Sequence, residues 1–270
     1  MYRSQLFVPG NRADRFEKAC ESGADLVCID LEDAVGVTEK AAARDTVLAW
    51  LGKTRHKHVS LRINAVDTAE GKADISALAN SDLSLPYIMV PKVSSRADID
   101  ALNASLPKIL GSFFAIIESA IGLVNCEEIF AHPRVTMGLY GAIDYAGDVG
   151  CDQSWDTHLY GRSRCVAAAA AFDVNFFGGP HVDVRDLDDC EASTKRLKTL
   201  GIHARSAIHP AQVERIHTAL MPSEAESLEA RRIIEAYDAA NGNVVLLDGK
   251  FVETPVVKRA MRVLAWANKS

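Results

Sequence analysis

The chain has 270 residues, 48% hydrophobic and 24% charged, with a formal net charge of -6 at pH 7. That balance permits one large buried core and excludes a disordered chain, while the acidic excess and the lack of any run of Lys and Arg exclude a nucleic-acid surface. No stretch approaches the about 18 uninterrupted apolar residues of a membrane span, and Met1 to Gly10 lacks a basic segment followed by a long apolar one, so a cytoplasmic protein is expected.

In chain order, short apolar runs rich in Val, Ile and Phe alternate with stretches whose apolar residues return every three or four positions. The runs predict strands over Gln5–Val8, Leu26–Leu31, Val59–Ile63, Tyr87–Val90, Phe113–Ile117, Thr136–Leu139, Val174–Phe177 and Ala204–Ile208. Helical spacing falls between them, for example over Arg12–Glu21, Lys40–Leu51, Ala97–Leu106 and Glu191–Leu200. Strands alternating with helices belong to the α/β class, and the absence of GxGxxG and GxxxxGK[ST] patterns weighs against an open dinucleotide- or phosphate-binding sheet. A TIM-type (β/α)8 barrel, which typically needs about 250 residues, is expected over residues 1–222.

Beyond it, residues 223–270 predict a C-terminal helical extension. It comprises a helix over Ser223–Ala240, a turn at Asn241–Asn243, a hairpin-like piece over Val244–Val252 and a last helix from Pro255. Two roles are open for this extension: a cap over one end of the barrel, or an arm that reaches a neighbouring subunit's site.

Six cysteines, Cys20, Cys28, Cys126, Cys151, Cys165 and Cys190, lie far apart without a CxxC or CxxH pairing, so neither a zinc cluster nor a disulfide framework is expected from spacing.

Barrel chemistry sits at the C-terminal ends of the strands, so the polar residues that end each apolar run are the candidates. Glu118 after the fifth run and Asp144 after the sixth supply two hard oxygen ligands on neighbouring strands. Mg²⁺ suits such a pair because it takes one or two carboxylates and completes its octahedron with water and substrate oxygens. Asp144 could instead cap the following helix. Arg62, ending the third run, is a planar fork suited to a substrate carboxylate, or to an ion pair with Glu32 or Asp33. A 2-oxo acid held by the metal and Arg62 would act as an electron sink while a carbon–carbon bond breaks through an enolate. Asp30, Glu32 and Asp33 crowd like charge together, so one of them is a candidate for proton transfer, with pairing to Lys40, Arg44 or Lys92 as the alternative. Lys92 among so many acids is expected as a charged ion-pair partner rather than a Schiff-base nucleophile. His209 before Pro210 is open between catalysis and structure.

The segments LFVPGNR at Leu6–Arg12, GADLVCIDLEDAV at Gly23–Val35, KAAAR at Lys40–Arg44, RIN at Arg62–Asn64, PKV at Pro91–Val93, IESAIGL at Ile117–Leu123, GAIDYAGDVG at Gly141–Gly150 and AIHPAQV at Ala207–Val213 occur in this order. Together they resemble the citrate lyase β-subunit group, the CitE-like proteins of the HpcH/HpaI aldolase superfamily, over nearly the whole chain. The resemblance implies a TIM barrel, commonly trimeric, that binds Mg²⁺ and cleaves or condenses acyl-CoA thioesters such as citryl-, malyl- or citramalyl-CoA. It implies metal ligands at Glu118 and Asp144, the substrate-carboxylate arginine at Arg62 and an acidic pair at Glu32 and Asp33; substrate contacts are expected at Arg62, Glu118, Gly141 and Ala142. Some members carry an acidic residue in a DGKMID-type segment that enters the next subunit's site; DGKFVE here puts Glu253 where Asp is usual. PKVSS replaces the frequent PKVES, so Ser94 removes one carboxylate. Arg12, Arg15 and Lys18 are open between CoA phosphates and a solvated helix face.

The expected function is a Mg²⁺-dependent carbon–carbon lyase or condensing enzyme on an acyl-CoA and a small oxo acid, with no nucleic-acid or membrane partner and a homotrimeric assembly. The alternatives are an aldolase on free 2-oxo acids without CoA, or a lyase subunit active only with acyl-carrier and transferase partners.

Overall fold

A computed structural model describes residues 2–106 and 111–267; residue 1, residues 107–110 and residues 268–270, all within the predicted barrel and extension, lie outside the described residues. Eight parallel strands, β1 (Ser4–Pro9), β2 (Leu26–Asp30), β3 (Val59–Arg62), β4 (Tyr87–Val90), β5 (Ser112–Ile117), β6 (Val135–Tyr140), β7 (Asn175–Gly178) and β8 (Ala204–Ala207), pair in sequence order. The sheet closes on itself where Ser4 of β1 pairs with Arg205 of β8. All eight predicted strands are present, with ends moved by at most one residue.

Each strand is followed by helix. The connections carry α1 (Phe16–Cys20), α2 (Lys40–Leu51), α3 (Ala69–Ala79), α4 (Arg96–Ser105), α5 (Ala120–Val124), α6 (Cys126–Phe130), α7 (Ala142–Val149), α8 (Leu159–Ala171) and α9 (Leu187–Thr199), with α10 (Ala211–Leu220) after β8. The predicted helix over Arg12–Glu21 is a 3₁₀ turn, Ala13–Arg15, running into the five-residue α1. No side chain caps its start, and Gly23, at φ +80°, turns the chain toward β2 soon after its end. The helix predicted from Glu191 begins at Leu187 because the Asp186 side chain caps it, accepting a hydrogen bond from the Asp189 N–H.

The barrel interior follows from the period of two along a strand. Leu26 and Cys28 of β2, Tyr87 and Met89 of β4, Phe114 and Ile116 of β5, and Met137 and Leu139 of β6 pack into one buried cluster with Phe177 and Ala204. The same parity, carried one step further, brings Asp30 and Glu118 to the mouth above that cluster.

The chain divides between Ala219 and Leu220 into two compact units, three residues before the boundary expected from the sequence after residue 222. The second unit holds α11 (Glu224–Ala239), an antiparallel hairpin of β9 (Val245–Leu247) and β10 (Lys250–Val252), and α12 (Thr254–Ala267). Ser223 and Glu226 form a capping box at the start of α11. Asp248 at φ +49° and Gly249 at φ +76° supply the two positive-φ residues that a tight hairpin turn requires. Within this unit Arg232 Nη2 donates to Asp248 Oδ2 at 2.6 Å, tying α11 to the hairpin turn. No helix among the described residues is long and apolar enough to cross a membrane.

Candidate functional site

Charged side chains gather beyond the C-terminal ends of β2 to β6. Arg62 ends β3, opposite Asp30 in the β2–β3 register, and its Nε and Nη2 donate to the two Asp30 carboxylate oxygens at 2.7 and 2.5 Å. One fork of the guanidinium is therefore spent on a residue that is 1% exposed. The remaining Nη1 lies 3.0 Å from Glu32 Oε2 and 3.9 Å from Asp33 Oδ2. That Glu32 oxygen is buried and in ion-pair contact, but without the alignment of a hydrogen bond. Burial pulls Arg62 toward losing its proton, yet Asp30 and Glu32 outweigh it and hold the cation firmly charged.

The loop that carries Glu32 is fixed from below by the KAAAR segment. Lys40 and Arg44 lie one turn apart in α2, so they share a face. Lys40 Nζ donates to the carbonyls of Leu31 and Glu32 at 2.9 and 2.7 Å and to Asn64 Oδ1 at 2.5 Å. Arg44 pairs with Asp74 and Glu70 of α3, and Asp74 Oδ2 accepts from the Asn64 backbone and side-chain N–H groups at 2.8 and 2.7 Å.

Glu118, just past β5 and 5% exposed, accepts a hydrogen bond at Oε1 from the Lys92 backbone N–H at 2.7 Å. Lys92 has φ +53°, a strained left-handed conformation for a residue with a side chain. Gly141 makes room on the other side: a Cβ there would stand 2.6 Å from Glu118 Oε2. Burial first, then the charges of Glu32 and Asp144, push the Glu118 carboxyl up to about 8. Glu32 is raised by burial too, against the pull of Arg62 and Lys92.

Asp144 stands in the first turn of α7, which begins at Ala142 after Gly141; it is not the capping residue. Lys92 Nζ links the acids, at 3.1 Å from Glu32 Oε1, 4.0 Å from Asp33 Oδ1 and 3.9 Å from Asp144 Oδ1. Burial lowers the proton affinity of this ammonium, but Glu32, Asp33 and Asp144 more than compensate, so the net shift is upward and the amine stays protonated.

Seven of the sequence candidates, Glu32, Asp33, Arg62, Glu118, Gly141, Ala142 and Asp144, thus share the mouth. Glu253 does not belong to the barrel unit; it directly precedes α12, where its carbonyl accepts from the Val256 and Val257 N–H groups. His209 is exposed, and its Nδ1 accepts from the Ala211 N–H at 3.2 Å, a local turn at the start of α10. Two roles escaped sequence reasoning. Asp30 looked like one more acid in a cluster, although its inward parity with Cys28 marks it as the partner of a strand-end cation. The left-handed Lys92 backbone has no sequence signal.

The donor set fits a hard dication. Two carboxylates that repel one another, one of them buried against its own charge, gain from a shared cation, and Mg²⁺ completes its shell with water and substrate oxygens. Among the described residues, the one place where three His, Cys, Asp or Glu ligand atoms lie within 4.8 Å of each other is elsewhere, at Cys20, His56 and His58.

A closed parallel barrel with its charged groups collected beyond the strand ends defines a TIM-type α/β barrel protein. The chain belongs to the HpcH/HpaI aldolase/citrate lyase family, whose model matches residues 3–210. It is 34% identical over 273 residues to a (3S)-malyl-CoA thioesterase of Cereibacter sphaeroides, covering 98% of this chain and 94% of that protein. It is 33% identical over 292 residues to an L-malyl-CoA/beta-methylmalyl-CoA lyase of the same species, covering 96% and 92%. Among solved structures it resembles CitE from Mycobacterium tuberculosis in complex with magnesium, acetoacetate and coenzyme A, with a TM-score of 0.89, 29% identity and coverage of 99% and 98%.

Proposed function

We propose that the chain is a Mg²⁺-dependent carbon–carbon lyase, or the condensing enzyme of the reverse reaction, acting on a hydroxy-acid CoA thioester of malyl type. The observation that carries the reading is Glu118, a buried carboxylate pressed against Glu32 and Asp144 at a strand end and pushed up to about 8. Glu118 and Asp144 would hold the metal. When bound, the ion supplies Lewis acidity toward the oxygens of the oxo-acid half.

Every other role falls to side chains already described. Arg62, locked through one fork by Asp30, would offer a substrate carboxylate the outer edge of Nη2 and Nη1, the latter in exchange for its 3.0 Å contact with Glu32. Gly141 and Ala142 open the N-terminal end of α7 toward substrate oxygens. In the cleavage direction the substrate hydroxyl gives up its proton, its oxygen becomes the carbonyl of the oxo acid, and the broken C–C pair passes to the thioester as an enolate that is then protonated. Glu32 and Asp33, with Lys92 against them, are the proton-handling pair of the barrel. In this reading the protein is a cytoplasmic homotrimer whose C-terminal extension presents Glu253 to a neighbouring subunit.

The thioesterase relative, 34% identical against 33% for the lyase, supports a second reading, in which water attacks the thioester and releases free CoA. Product analysis with malyl-CoA and Mg²⁺ separates them: acetyl-CoA plus glyoxylate for the lyase, malate plus CoA for the hydrolase. Neither product pair, at full Mg²⁺ loading, would overturn both.

A further inference from the structure

At the opposite end of the barrel the fold assembles a second set of metal-ligating side chains. Cys20 closes α1, and His56 and His58 lie in the segment that leads into β3. Their ligand atoms, one from each residue, all lie within 4.8 Å of one another. The two imidazoles stand 5.6 Å apart between centroids at 77°, so they converge from different directions rather than stacking. The His58 backbone carbonyl accepts from Val27 of β2 at 3.0 Å, which fixes the segment against the start of the neighbouring strand.

Two further observations point to a ligand. Nε2 of His58 is buried and has no hydrogen-bond partner, a loss that native interiors rarely tolerate. Glu17, one turn before Cys20, accepts from Trp50 Nε1 at 3.1 Å and contacts His56 Nε2 at 3.0 Å. A carboxylate held in this way keeps a proton on Nε2 and leaves Nδ1 as a lone-pair donor, the usual outer partner of a metal-bound histidine. Cys20 is 9% exposed, while the His56 side chain is 34% exposed and leaves a path in from solvent.

We propose that Cys20, His56 and His58 bind a borderline transition-metal ion, Zn²⁺ by its donor set, as a structural site distinct from the carboxylate mouth. One sulfur and two imidazole nitrogens, completed by water, match zinc and not Mg²⁺. The ion joins the end of α1 to the entry of β3, closing the barrel floor between β2 and β3. It lies a strand's length, roughly 13 Å at about 3.3 Å per residue, below the reacting end, so it acts on stability rather than on chemistry.

The test uses full-length protein stripped with a chelator and titrated with Co²⁺ in the presence of excess Mg²⁺. We expect one equivalent to bind with a near-ultraviolet thiolate-to-cobalt band that survives in Glu118→Ala and Asp144→Ala and is absent from Cys20→Ser and His58→Gln. Competition with Zn²⁺ should displace the band and raise the melting temperature of the wild-type protein but not of Cys20→Ser. Glu17→Gln should keep the band and weaken Zn²⁺ by about tenfold or more. Failure of the band to form, or its persistence in a Cys20→Ser protein shown by circular dichroism to be folded, overturns the site.

Discussion

Asp74 and Glu118 are both buried carboxylates of the barrel unit, 1% and 5% exposed, and their surroundings are opposite. Asp74 has its charge answered on every side: Arg44 Nε on one oxygen, two Asn64 N–H groups on the other. Glu118 has one hydrogen-bond donor among the described residues, the Lys92 N–H, and faces Glu32 and Asp144. The first arrangement fixes a loop; the second stores repulsion that a cation or a proton relieves. A barrel of this kind keeps its stability and its reactivity in separate acidic groups, and substitution can tell them apart.

The largest expected effect is on turnover. Glu118→Ala or Asp144→Ala should reduce Mg²⁺-dependent kcat/KM by about a thousandfold or more, near 4 kcal/mol, while the far-ultraviolet spectrum stays unchanged. Asp74→Ala should do the reverse, lowering stability in urea by about 3 kcal/mol because Arg44 is left without its buried partner. If Asp74→Ala instead kept full stability, the contrast between the two acids would collapse. Arg62→Lys should cost about a hundredfold in kcat/KM, since an ammonium cannot hold Asp30 through two parallel bonds and still present a planar edge; near-normal kinetics would remove Arg62 from the proposed role.

The smallest effect sharpens the comparison through pH. In the folded protein the Glu118 carboxyl, pushed up to about 8, lies above the ordinary glutamate value of about 4.5, so the folded protein retains a proton that the unfolded chain releases. Its contribution to stability is full below about 4.5 and is lost as pH rises toward about 8. In chelator-treated protein the melting temperature should fall across this window, by about 2 °C per pKa unit. Saturating Mg²⁺, which requires the ionised carboxylate, should flatten the fall, and Glu118→Gln should abolish it without metal.

Strand number, barrel class and the placing of Arg62 and Glu118 at strand ends and of Asp144 just past one were legible in the chain because periodicity and strand ends are local: each is written within a few residues. The early start of α9 was legible in principle through the Asp186 cap, and the short α1 through the lack of one. What the tertiary structure decided is which charges meet. It spent one fork of Arg62 on Asp30, put Lys92 among three acids through a left-handed backbone, and brought Cys20 to His56 and His58, which no spacing rule connects. Closing eight strands into a ring sets residues far apart in sequence within a few ångströms of each other, and Coulomb energy depends on that distance and on burial, neither of which a linear pattern contains.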